Sequence, residues 1–317
     1  MNKKSIPLSV RRHHLVATVR KALGDQDVIV GVSGGADSVA LLLLCCAAAS
    51  QDSANFNVVA THIHHGLRKS SDEEQVIVEQ LCKQLEITCI SKKVTVNPIN
   101  GSIAAGARKI RYETLGNIAT ELNVNAVAVA HHAEDQLETM LMALCRGAGL
   151  RKLSGMATIR PLCGNVNLYR PLLHVEKQNL IKVCQLANFN WCDDPTNIDP
   201  TTPRGRLRND VIPVLRELWP AADKHAANAS TILHAAAESF DSIVPRGNEW
   251  DRSLLAELPS PVIDATLQQA IGEHATFETI QSITAAVIDE STEPRTFQFK
   301  HDCYATITAH KVSVFHS

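Results

Sequence analysis

The chain contains no C-x-x-C pair, and that absence removes zinc ribbons, thioredoxin-like redox sites and metal clusters built on that spacing. It also lacks any run approaching the ~18 uncharged apolar residues that a membrane helix requires; the longest, Val39–Ser50, follows a loop signal instead of basic anchors. No membrane partner is expected. The basic stretch MNKKSIPLSVRRHH has no apolar region behind it and does not read as a secretory signal. Nine cysteines, an odd number scattered mostly through apolar runs such as LLLLCCAAA, read as buried thiols in a reducing compartment, so a cytoplasmic location is expected. Gly and Pro are few, and there is neither an internal repeat nor a low-complexity tail.

What remains is the composition of an ordinary globular protein, 45% apolar and 20% charged over 317 residues. At about 150 residues per domain this suggests two units. The net charge of −2 conceals an uneven distribution. Residues 1–145 balance 14 basic against 14 acidic side chains, 146–216 carry 11 against 5, and 217–317 carry 6 against 14. The middle segment is therefore a local basic zone, the kind that meets polyanions or else forms a solvated face.

Short β-branched runs at 27–32, 57–63, 87–94 and 126–131 read as strands. Helical spacing fills 36–49, 70–85 and 102–122 between them, the second opening with a capping box of Ser70 and Glu73. Such alternation predicts an α/β fold with an open, mostly parallel sheet and helices on both faces. A helix near 133–145 follows. The stretch 146–206 looks irregular apart from a helix near 175–187. Beyond Leu207 the pattern is helical, ending in two or three short strands after residue 295. The expected division is a catalytic domain over 1–215 and a small, mainly helical domain over 216–317.

The sharpest local signal is VIVGVSGGADSVALLLL, a strand ending in Ser33, Gly34, Gly35, Ala36, Asp37 and Ser38 and entering a helix directly. Two glycines allow close backbone approach, two serines offer hydroxyls, and the helix start presents free N–H groups to an anion. A carboxylate beside phosphate makes sense if a divalent cation lies between, so Asp37 reads as a Mg²⁺ ligand. Neither the G-x-x-x-x-G-K-[ST] loop nor G-x-G-x-x-G is present.

A second signal, AHHAEDQLETMLMALCRGAG, crowds His131, His132, Glu134, Asp135 and Glu138 at the end of the fourth strand. In an open parallel sheet this cluster and the phosphate loop face one cleft, where Asp135 could complete the metal site and the acids could hold a cationic substrate. The five histidines 62, 64, 65, 131 and 132 lack a third ligand at fixed spacing, which argues against zinc. A third signal places Arg108 and Arg111 on one helix beside the phosphate site, suited to neutralising charge on a transferring phosphoryl group. A fourth joins RPLL (170–173) to DDPTNIDPTTPRGRLRNDVIPVL, where Arg204, Arg206 and Arg208 suit a nucleic-acid backbone.

SGGADS resembles the pyrophosphate loop of the N-type ATP pyrophosphatases. Together with HIHHGLR, GSIAAGARKIRY, HHAEDQLETMLMALCRGAG, RPLL and DPTNIDPTTPRGRLRNDVIP, in that order over residues 27–215, it resembles the tRNA(Ile)-lysidine synthetase family. The resemblance implies an adenine nucleotide alpha-hydrolase-like fold, with ATP and Mg²⁺ as cofactors. It implies as substrates free L-lysine and the isoleucine tRNA with a CAU anticodon, and it is compatible with a homodimer. The implied reaction adenylates the wobble cytidine at the oxygen on carbon 2, after which the lysine ε-amine displaces AMP. Thr61 and His62 would join Ser33–Ser38 around the nucleotide, Asp37 and Asp135 would hold Mg²⁺, and Arg108 and Arg111 would face the α-phosphate. Glu138 or Glu134 would take the lysine, a carboxylate or His132 would act as base, and Arg146, Arg204, Arg206 and Arg208 would contact tRNA.

Two departures stand out. Glu134 precedes Asp135 where the family often has two Asp, so metal ligation is not expected of residue 134. Gly106 replaces the usual Ala, an exchange expected to be without consequence. The acidic C-terminal segment argues against a broad RNA surface there. Two rival readings are a tRNA sulfur transferase on the same fold, which typically needs the missing C-x-x-C cysteines, and a non-catalytic ATP-binding module, which would leave the acids of 134–138 and arginines of 204–208 without a task.

Overall fold

A computed structural model describes residues 6–51, 54–66, 70–99, 101–192, 202–272, 275–299 and 303–315. The DPTN segment, Arg68 and Asn100 lie outside the described residues. The chain divides into two compact units, Met1–His234 and Ala235–Ser317.

The first unit opens with α1 (Leu8–Arg11) and α2 (His14–Leu23), which precede the first strand, and continues β1 (Val28–Gly31), α3 (Ala36–Ala49), β2 (Val58–His64), α4 (Ser70–Leu85), β3 (Thr88–Lys93), α5 (Ile103–Glu121) and β4 (Ala126–Ala128). Then come α6 (Ala133–Cys145), α7 (Leu150–Leu153), β5 (Ile159–Cys163), β6 (Val166–Tyr169) and α8 (Lys177–Ala187). After α9 (Pro203–Arg206) the helix widens to a π turn over Leu207–Val211 and resumes as α10 (Ile212–Leu218). Helix α11 (Ala222–Ile243) contributes residues to both units.

Six strands form one sheet in the order β3-β2-β1-β4-β6-β5. All neighbours are parallel except the β5–β6 hairpin. That hairpin lies in the stretch expected to be irregular. Its alternation was hidden by Pro161, tolerable on an edge strand that need not donate every ladder bond, and by the four-residue length of β6.

Alternation along each strand sorts the core onto two faces. Val28 and Val30 of β1, with Val58, Ala60, Ala126 and Ala128, pack under α2, α3, α4 and α8. Ile29, Val127 and Leu168 point the other way, onto Tyr112, Leu115, Ile118 and Ala119 of α5. Helix α3 is apolar all round, and its residues Val39–Ala48 are fully buried.

Gly106, near the start of α5, is not interchangeable with Ala. A Cβ built there would stand 2.0 Å from the Asn97 carbonyl oxygen, because the chain leaving β3 presses directly on the helix.

In the second unit α12 (Arg252–Ala256), α13 (Ser260–Ile271) and α14 (Phe277–Ile288) pack with a four-stranded antiparallel sheet. Its strands are β7 (Glu249–Asp251), β8 (Arg295–Gln298), β9 (Tyr304–Ile307) and β10 (Lys311–Phe315). The buried Arg252 guanidinium donates to the Ala286, Val287 and Asp289 carbonyls and so satisfies the C-terminal end of α14.

Candidate functional site

Strand β1 has β2 on one side and β4 on the other, and the chain leaves it in opposite directions. The carboxyl ends of β1 and β4 therefore form the crevice where ligands of open α/β sheets bind. The loop of residues 32–35 leaves β1 there, and residues 129–132 leave β4.

The loop is held by its own side chains. Ser38 Oγ accepts from the Ser33 amide at 3.1 Å and donates to the Gly35 carbonyl at 2.9 Å, closing a small ring at the start of α3. Gly34 adopts φ +95°, which only glycine takes without strain. Gly35 caps α3 without a side chain, leaving the first amides of the helix open to an anion. Ala36 and Asp37 form the first turn. Thr61 and His62, on the adjacent strand, are buried beside this loop: His62 Nδ1 lies 2.9 Å from the Val32 carbonyl oxygen, and burial lowers its pKa. Thr61 Oγ1 and His62 Nε2 are buried without hydrogen-bond partners.

Across the crevice, Asp135 accepts the His132 amide at 3.1 Å and thereby caps α6. His132 Nε2 lies 3.4 Å from Asp37 Oδ2 and 3.6 Å from Asp135 Oδ2, so one imidazole joins the two carboxylates expected at the metal site. Burial alone would push this imidazole down, but Asp135 and Asp37 outweigh it and its pKa rises. Both carboxylates thereby favour the protonated form of the imidazole over the neutral one. Asp135 is pushed up by burial and pulled down more strongly by His132, His131 and Arg204, to about 2.

The remaining acids hold arginines. Glu138, with no side-chain exposure, accepts from Arg204 Nε and from Arg208 Nε, both at 2.6 Å. Asp135 Oδ1 accepts from Arg204 at 3.1 Å and Arg208 at 3.4 Å, and Glu134 pairs with Arg216 at 2.9 Å. Arg206 is exposed and pairs with Asp210 on its own helix. Arg146 caps the opposite end of α6, exposed and ~12–18 Å of helix away from the acids.

Arg108 and Arg111 lie over the Tyr112 ring, their Cζ atoms each 5.3 Å from its centroid. Burial pushes the Tyr112 hydroxyl up, yet the guanidiniums pull it lower overall. The neighbouring His131 is held neutral, its pKa lowered by burial to about 3, and its Nδ1 accepts from Arg170 Nε at 3.3 Å. Gln136 carries a part of the site that the sequence patterns did not single out, and Arg170, the first residue of the RPLL signal, enters the site just past β6. Gln136, fully buried, accepts the Met156 amide at 2.9 Å and donates to the Met156 carbonyl and to Ser230. These bonds tie α6 to the chain before β5 and to α11. The only sequence signal was a polar residue among the inward positions of α6.

Asp37 is the residue that could take a divalent cation, because its Oδ1 is buried with no hydrogen-bond partner. Among the described residues no three His, Cys, Asp or Glu side chains converge as a metal cage. Among the described residues no helix is long and apolar enough to cross a membrane.

Residues 8–215 match the PP-loop domain family. The chain is 40% identical over 197 residues to a tRNA(Ile)-lysidine synthase of Histophilus somni, covering 62% of this chain and 45% of that one. It is 31% identical over 252 residues to a tRNA(Ile)-lysidine synthase of Coxiella burnetii, covering 77% and 55%. It thus spans about half the length of these curated relatives. A U34-tRNA thiolase of Methanococcus maripaludis, solved with its 4Fe–4S cluster, shares the fold at TM-score 0.56 and 17% identity over 69% of this chain and 78% of that one. The match over residues 8–215 covers more than half of the chain, and the chain belongs to the PP-loop domain family.

Proposed function

We propose that the chain activates the wobble cytidine of the CAU-anticodon isoleucine tRNA with ATP and joins free lysine to it, forming lysidine. The observation carrying this reading is the convergence, at one sheet switch point, of a phosphate loop, the Asp37–His132–Asp135 bridge and a trio of acids, Glu134 and Glu138 buried and Asp135 nearly so, that binds cations. The names of the two curated relatives, both tRNA(Ile)-lysidine synthases, support the substrate.

ATP lies with its phosphates on the open amides of Gly35–Ser38, and the helix dipole of α3 favours their charge. A Mg²⁺ ion held on Asp37, with Asp135 facing it through His132, would neutralise the leaving pyrophosphate. Arg108 and Arg111 stabilise charge at the α-phosphate as the cytidine O2 attacks it and the bond to pyrophosphate breaks. The lysine ε-amine then forms the bond to carbon 2, AMP departs with the oxygen, and the amine proton leaves to a carboxylate or to water. Glu134, Asp135 and Glu138 now hold three guanidiniums, and a lysine ammonium competes for the same oxygens. The exposed Arg206 and Arg146 are left to meet the RNA backbone.

The test is incorporation of radiolabelled lysine into a CAU-anticodon isoleucine tRNA transcript with ATP and Mg²⁺, beside a UAU control. Incorporation into the CAU transcript alone, lost in Asp37→Ala, is the expected result. AMP and pyrophosphate formation without lysine transfer would retain the nucleotide chemistry and reject the substrate.

A further inference from the structure

Four guanidiniums gather without a salt-bridged carboxylate among the described residues. Besides Arg108 and Arg111, Arg160 of β5 places its Cζ 5.1 Å from the Tyr112 centroid, so three cations share one ring. Arg170, only 3% exposed, stands beside them between the Ala157 carbonyl, at 2.6 Å, and His131. Among the described residues none of these four forms an ion pair with a carboxylate, whereas Arg204, Arg208 and Arg216 all do. Arg111 Nε is buried with no hydrogen-bond partner. Contact with one ring does not offset the mutual repulsion of four clustered like charges, of which Arg170 is buried and the other three are partly exposed, so the cluster is built to be completed by an anion.

The position of Arg160 selects which anion. It pairs with Leu168, Leu168 with Val127 and Val127 with Ile29, so three strand spacings, roughly 14 Å, separate it from the strand that feeds the phosphate loop. A nucleotide anchored at that loop is served by Arg108 and Arg111. Arg160, on the outermost strand, needs a polyanion that continues outward.

We propose that Arg160, with Arg170 and the Tyr112 ring as its support, binds a backbone phosphate of the RNA strand entering the site, next to the nucleotide that reacts. The proposal rests on the tRNA reading above and adds a contact to it. Phosphate contacts fix the register of an RNA strand without reading its bases, so this one sets how deeply the wobble nucleotide is inserted.

The experiment measures binding of the CAU-anticodon transcript to the full chain across a salt series, for the wild type, Arg160→Gln and Arg160→Lys, with ATP binding measured separately without RNA. Arg160→Gln is expected to weaken RNA binding about tenfold and reduce the slope of log K against log salt by about 1, with ATP affinity unchanged. Arg160→Lys, which keeps the charge, is expected to retain the slope; thermal melting of both variants reports folding. Equal RNA affinity and slope in wild type and Arg160→Gln overturns the inference alone. A loss of ATP affinity with RNA binding intact also overturns it and reassigns the cluster to the nucleotide. A wild type that binds no RNA at any salt overturns the tRNA reading and this inference together.

Discussion

Arg208 Nε donates to Glu138 Oε1 at 2.6 Å across 70 residues of sequence, and the carboxylate it meets has no solvent exposure. Arg204 takes the other oxygen at the same distance, so one buried charge is shared by two guanidiniums. Removing one member of a buried pair typically costs about 3–5 kcal/mol, because the partner charge stays buried and uncompensated. Here Arg204 is 38% exposed and can rehydrate, so Glu138→Gln is expected near the low end of that range. Chemical denaturation gives the loss. Hydrogen exchange should rise first at 203–211, where the π turn depends on this anchor.

A second expectation concerns Asp37. Asp37→Asn preserves volume and can still accept from His132, yet removes the charge at the unpartnered Oδ1. If that oxygen holds Mg²⁺ at the pyrophosphate, several kcal/mol of transition-state stabilisation are lost, and ATP cleavage should fall about 10²–10³-fold with little change in melting temperature. Chelation of divalent ions should reduce the wild type to the level of the variant. Cleavage by the variant at the wild-type rate would move the metal elsewhere.

Much of this architecture was legible in the chain. Helices 36–49 and 70–85 follow directly from apolar spacing and end signals, and the loop between β1 and α3 announces itself because glycine, serine and aspartate there serve no packing purpose. The acids of α6 and the loop were placed in one cleft by sheet topology alone. The partners of those acids could not be read. Arg204 and Arg208 form a basic run whose local pattern is indistinguishable from an RNA-binding strip, and only contacts over 66 and 70 residues reveal that they meet Glu138. Arg160 was hidden for the opposite reason: it is a lone cation in its own strand, and the cluster exists only because β5 and β6 pair beside β4 and under α5.

Gly106 gives a third expectation in which two known effects oppose each other. Replacing a helical glycine by alanine ordinarily stabilises by about 1 kcal/mol. The new Cβ, however, would fall 2.0 Å from the Asn97 carbonyl oxygen, a backbone atom that cannot swing away as a side chain could. Forcing atoms into a filled space costs about 1–3 kcal/mol, so Gly106→Ala is expected to destabilise on balance. It should also shift the start of α5, which carries Arg108 and Arg111, and raise the apparent KM for ATP. A stabilised variant with unchanged kinetics would mean that the chain at 96–97 yields freely.

The acid limb of stability tests the neutral imidazole beside the arginine cluster. His131 has a folded pKa near 3 against 6.5 for an ordinary histidine, lowered chiefly by burial. Below pH 6.5 the unfolded chain therefore takes up this proton while the folded chain does not, and stability falls as pH drops from about 6.5 toward 3, then levels. His131→Gln can still accept from Arg170 and has no such titration, so its stability should decline less steeply over that window. Denaturant midpoints of the two proteins from pH 7 to pH 4 measure the difference. The gap between wild type and variant should drift in favour of the variant as acid is added, because the field of Arg108, Arg111 and Arg170 keeps opposing the imidazolium until the cluster itself comes apart.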